Sequence, residues 1–212
     1  MPDRIGVFML AALVLVAIPG PDVLYITARG MDQGRLAGLT SAWSAAFGGL
    51  VLTFAAALGL ATILESSALA FSTVKYLGAG YLIYLGVRRL IQRHDPLTTR
   101  VKTARGSLRR VFAQGFLIAV LNPKTALFFV AFLPQFVNPG NGSIALQLVV
   151  LGVIFVAIGL CTDTCYALLS GTLGNWVIRR KGFARGQRYL VGGTYLALGV
   201  GAAVSHPVRA DL

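Results

Sequence analysis

Charge is scarce in this chain of 212 residues: only 12% is Asp, Glu, Lys or Arg, and just 7 residues are acidic. Soluble domains average about 25% charged and about 45–50% apolar residues. Here the apolar share is 56% and the mean hydropathy +0.75, so the polar surface that a water-soluble fold needs is missing. Histidine and cysteine number 2 each. His94 and His206 stand far in sequence from Cys161 and Cys165, and the cysteines lack the C-x-x-C redox spacing. Four apart on one helix face, they read as two small buried side chains. No G-x-x-x-x-G-K-[ST] stretch occurs, nor any polar domain to house ATP hydrolysis. Catalytic residues, cofactors and a resident metal are therefore not expected, and the chain does not read as an enzyme.

What is present in abundance is long apolar sequence. A bilayer core about 30 Å thick needs roughly 20 helical residues. Six segments qualify: Ile5–Thr27, Gly38–Leu64, Leu69–Leu90, Val111–Phe136, Ile144–Leu173 and Tyr189–Ser205. They are continuous and rich in Leu, Ala and Gly, unlike the alternating ten-residue segments of membrane β-barrels. The expected fold is an all-α integral membrane protein forming one transporter domain over residues 1–212. Repeat one covers about 5–90, a basic linker about 91–110, and repeat two about 111–205.

The net charge of +12 and the pI near 10.5 do not point to nucleic acid, because the basic residues sit between apolar runs. Arg29 and Arg35 fall in the first connection. Eight more, from Arg88 to Arg110, fall in the third, and Arg179, Arg180, Lys181, Arg185 and Arg188 in the fifth. Only Arg4, Lys75 and Arg209 lie on the other side. The positive-inside rule then makes the odd connections cytoplasmic and leaves both termini outside.

Two spans are broken in the same way. "AIPGPDVL" places Asp22 after Pro21, and "VLNPKTAL" places Lys124 after Pro123, each pair offset by 102 residues. Three spans per half means that the halves enter the membrane in opposite senses, and inverted repeats with matching helix breaks point to a transporter binding site. Pro21, Pro19 and Pro123 each deprive the carbonyl four residues earlier of its partner, those of Ala17, Leu15 and Ala119. A new half-helix starts beyond each break, with Asn122 as N-cap before Pro123 and Gly20 as a weaker cap before Pro21.

Charged residues within spans are rare and mostly functional. Asp22 and Lys124 form a bipolar pair suited to a zwitterion, its carboxylate toward Lys124 and the Asn122 cap, its ammonium toward Asp22 and the freed carbonyls. The bland alternative is an ion pair that serves structure alone. Asp22 is the first candidate for proton coupling. Asp163, the sole acid of the fifth span, is the second, weighed against a hydrogen-bonded structural role near Thr162 and Tyr166. Gly193, Ala197 and Gly201 recur every four residues, a spacing that serves a helix contact within the fold or a homodimer face. Gly48, Gly49, Gly59, Gly78 and Gly80 read as packing positions, or in part as hinge points for the rocking that alternating access requires.

"IPGPDVLYITARGMDQGRLAGL", "VKYLGAGYLIYLGVRRL" and "LNPKTALFFVAFLPQFV" together resemble the LysE/RhtB family of bacterial amino-acid exporters, over about residues 5 to 204. That resemblance implies six spans in the bacterial plasma membrane and efflux of amino acids or close derivatives, driven by protons rather than ATP. The alternatives are a cation or metal exporter, which needs clustered ligands, and a membrane thiol-redox protein built on the two cysteines.

Overall fold

The computed structural model describes residues 5–66, 68–91, 106–179 and 181–204. Most of the basic linker, both histidines, Arg4 and Arg209 lie outside these residues. Among the described residues the chain is helical, with no strand. In order the α-helices are α1 (Ile5–Ala17), α2 (Pro21–Gln33), α3 (Arg35–Ser66), α4 (Ala68–Ile91), α5 (Leu108–Val120), α6 (Pro123–Ala131), α7 (Ile144–Arg179) and α8 (Lys181–Val204). Two short 3-10 turns, Leu133–Phe136 and Pro139–Asn141, follow α6.

The first and fourth expected spans are each two helices. The axis bends by 51° between α1 and α2 and by 40° between α5 and the segment Pro123–Phe136. Proline at the first helical position accounts for both breaks, since Pro21 and Pro123 open α2 and α6. Among the described residues, by length and composition alone, two helical stretches, Arg35–Thr62 and Ile144–Ser170, are able to cross a bilayer, and four are if each bent pair counts as one span. α4 and α8 have 24 residues each, about 36 Å at 1.5 Å per residue. α8 begins eight residues before the expected Tyr189, because the Lys, Arg and Gln residues that precede the apolar run are themselves good helix formers.

The apolar core gathers around α1, α6 and α7. Phe8, Phe128 and Phe136 interlock there with Phe155, and ring centroids lie 5.0 Å apart for Phe128–Phe155 and 5.3 Å for Phe8–Phe136. Many large apolar side chains point outward instead, among them Leu10, Leu58, Leu77, Tyr84 and Leu146, as expected where the surrounding solvent is lipid. The long helices pair across the halves, α3 against α7 and α4 against α8.

Small residues permit these approaches. Between α4 and α8, a Cβ on Gly86 would meet the Gly192 carbonyl at 2.9 Å, and one on Gly199 would meet the Ala79 carbonyl at 2.9 Å. Gly86→Val is therefore expected to destabilise the fold by about 1–3 kcal/mol through overpacking, read as a lower unfolding temperature in detergent. Gly48, Gly49 and Gly78 are likewise at contacts, against Ala119, Val156 and Ala131. Gly59 and Gly80 are not: open space lies beyond them. Gly193 and Gly201 also face outward, with nothing within 4 Å among the described residues. Cys161 and Cys165 are exposed on α7 rather than buried, because their face of the helix turns away from α3.

Candidate functional site

Both helix breaks converge on one small cavity of about 40 Å³, lined by Asp22, Lys124, Thr125 and Asp163 together with apolar residues of α1, α3, α5 and α7. Local chemistry positions each group. Asn122, 1% exposed, is extended and accepts the Lys124 backbone N–H on its Oδ1 at 3.0 Å. This is the N-cap expected from its place before proline. Gly20 occupies the matching place before α2 without a side-chain cap. A Cβ there would lie 2.7 Å from Asp22 Oδ1 and 3.2 Å from Lys124 Nζ, so a side chain at this position would displace the two charged heads that approach it from opposite halves. Pro21 and Pro123 are exposed and do not line the cavity; they shape the breaks.

Lys124 is 2% exposed. Its ammonium donates to the Ile18 carbonyl at 3.0 Å and to the Leu15 carbonyl at 3.3 Å. These carbonyls lie at the end of α1, where the helix dipole is negative and a cation is favoured. Tyr166 Oη donates to the other carbonyl freed at this break, that of Ala17, at 2.8 Å. The carbonyls of the first break are thus met by side chains of the second half. They are not open to a substrate ammonium in this conformation, contrary to the sequence expectation. Ala119 differs too: the chain tightens after α5, and its carbonyl accepts the Asn122 backbone N–H at 3.1 Å.

The acids are placed otherwise. Asp22 Oδ1, Asp163 Oδ1 and Asn122 Nδ2 are shielded and have no hydrogen-bond partner among the described residues. An unmet buried polar atom costs about 1–3 kcal/mol, more when charged. Asp163 is 5% exposed and lines the same cavity as Asp22 and Lys124. Thr162 turns away and bonds the Ile158 carbonyl of its own helix. Three ionisable groups, two acids and one base, therefore share one enclosure. The arrangement offers acceptors for an ammonium and a cation for a carboxylate.

Sequence reading missed a second polar cluster, beyond the cavity toward the end of α2. Arg29, counted above as a loop cation, is 3% exposed and donates to Gln114 Oε1 at 2.6 Å. Its guanidinium lies 5.1 Å from the Tyr25 ring centroid, and Tyr25 Oη donates to the Val111 carbonyl at 2.9 Å. These contacts tie α2 to the start of α5. The clue was the spacing of Tyr25 and Arg29, four residues apart on one face of α2.

Among the described residues no three His, Cys, Asp or Glu side chains stand close enough to hold a metal ion, and neither cysteine lines the cavity.

A family model described as LysE type translocator matches residues 13–206. An uncharacterized membrane protein of Pseudomonas aeruginosa is 31% identical over 202 residues, 93% of this chain and 94% of the relative. The uncharacterized membrane protein YrhP of Bacillus subtilis is 38% identical over 151 residues, 68% of this chain and 71% of its own length. A protein of Salmonella typhimurium named leucine efflux protein is 26% identical over 188 residues, 87% of each chain. No solved structure matches.

Proposed function

Because the chain belongs to the LysE type translocator family and is a multi-pass membrane exporter rather than an enzyme, we propose that its cargo is a small zwitterion, an amino acid or a close derivative. Asp22 and Lys124 are the two poles of the site, Asn122 and Gly20 its backbone frame, and Pro21 and Pro123 the hinges that bring it together. The observation that carries this reading is the buried pair of unmet carboxylate oxygens beside a lysine. An ammonium satisfies the acids, while a carboxylate draws Lys124 away from the end of α1. At about 40 Å³ the cavity lies well below the roughly 300 Å³ where ligand pockets begin, so it must widen to take an amino acid.

The architecture behind this mechanism is six spans in two inverted repeats, with α4 and α8 as the third and sixth. Three features support it: matching breaks at Pro21 and Pro123, the pairing of α3 with α7 and of α4 with α8, and apolar outward residues such as Leu77, Val87, Val200 and Val204. The basic connections face the cytoplasm and both termini the outside of the bacterial plasma membrane. Coupling to protons follows from the charge count. With all three groups ionised, Asp22, Asp163 and Lys124 sum to one negative charge, which is costly in a low-dielectric enclosure. A bound zwitterion adds no net charge, so only a proton on Asp22 or Asp163 neutralises the sum. A substrate ammonium set beside that acid favours its ionised form and displaces the proton, and so export of one is tied to entry of the other.

Cells that express the chain and are loaded with dipeptides test the substrate class. At least one free zwitterionic amino acid is expected to leave faster than from control cells. No change for any amino acid would overturn the reading.

A further inference from the structure

The cavity has an apolar side that the charged groups do not use. Val16 of α1, Ala46 and Gly49 of α3, and Phe155, Val156 and Gly159 of α7 line it. Apart from Asp22, Asp163, Lys124 and its neighbour Thr125, the lining is apolar. Phe155, Gly159 and Asp163 recur every four residues and so share one face of α7, about 6 Å apart along the axis. A molecule whose ammonium and carboxylate are held by Asp22 and Lys124 therefore has this face, past Gly159 toward Phe155 between α1, α3 and α7, left for its side chain.

Resting on the reading of this cavity as an amino-acid site, we propose that the exported molecule carries a small aliphatic side chain and that Gly159 and Ala46 set its size. The lining at Val16, Phe155, Val156 and Gly159 offers no polar partner, so a charge carried along it, away from Asp22 and Asp163, would be buried unpaired, at high cost. Glycine at 159 leaves space along the path of the side chain. A Cβ there would meet Val16 Cγ1 at 3.4 Å, an ordinary contact, so alanine fits without moving the backbone. Ala46 is buried on the facing helix, and its methyl group fills the opposite side. In an apolar pocket one methylene changes discrimination about 10–200-fold.

Counterflow of labelled amino acids through the purified full chain in proteoliposomes tests this. Gly159→Ala is expected to lower the ratio of leucine to alanine exchange about tenfold or more. Ala46→Gly is expected to act in the opposite direction, raising exchange of methionine relative to leucine. Shifts of opposite sign do not arise from poor folding. Unchanged ratios in both variants would overturn the proposal, as would wild-type protein that exchanges lysine faster than leucine. Wild-type protein that exchanges no amino acid would remove the underlying reading first, and this inference with it.

Discussion

Lys124→Met is expected to abolish export and to lower the unfolding temperature of the purified protein. The buried ammonium does two things at once. It donates to the Leu15 and Ile18 carbonyls, and it is the one cation lining a cavity that also holds Asp22 and Asp163. Methionine fills similar space but donates nothing, so two carbonyls at the end of α1 lose their partner. Hydrogen bonds to charged groups contribute about 1.5–3 kcal/mol each. Removing the cation also leaves the buried Asp163 and the partly buried Asp22 unbalanced, and breaking a buried charge arrangement costs about 3–5 kcal/mol. A melting curve in detergent checks the stability effect, and efflux from dipeptide-loaded cells checks the transport effect. A stable, fully active Lys124→Met protein would remove Lys124 from the site.

Asp163→Asn separates coupling from binding. In proteoliposomes the variant is expected to exchange labelled substrate across the membrane at a substantial rate but to lose acceleration by an imposed pH gradient. Asp22→Asn is expected to lose both, because Asp22 shares the contact at Gly20 with Lys124, where the substrate's two charges must separate. The physical basis is the charge count: asparagine at 163 removes the excess negative charge, so the empty site no longer needs a proton to reorient. If Asp163→Asn responds to the gradient as wild type does, Asp163 is structural and the coupling group lies elsewhere.

Much of this site was legible in the sequence because proline and charge are costly inside lipid and therefore informative. The break at Pro21, its counterpart at Pro123 and the Asn122 cap all follow from local rules, and each stands where those rules put it. The start of α7 at Ile144 follows from the end of the Pro- and Gly-rich stretch before it. What the sequence did not reveal depends on contacts made across more than 80 residues. Nothing local indicates that Lys124 reaches back to α1, that Tyr166 meets the Ala17 carbonyl, or that Arg29 turns inward to Gln114. Helix rotation was equally illegible. Cys161 and Cys165 share a face, but whether that face meets protein or lipid is set by the neighbouring helices, and it turns outward. Asp163 sits on a different face of the same helix and points into the cavity.

The central claim is that two opposite charges on matched helix breaks hold the two ends of one zwitterion. Ligand-induced stabilisation of the purified protein measures this most directly, since a ligand that binds the folded state raises its stability in step with occupancy. Leucine is compared with leucine amide, which lacks the carboxylate, and with 4-methylpentanoate, which lacks the ammonium. Stabilisation by leucine alone, lost in Asp22→Asn, is the predicted result; equal stabilisation by all three compounds would contradict it.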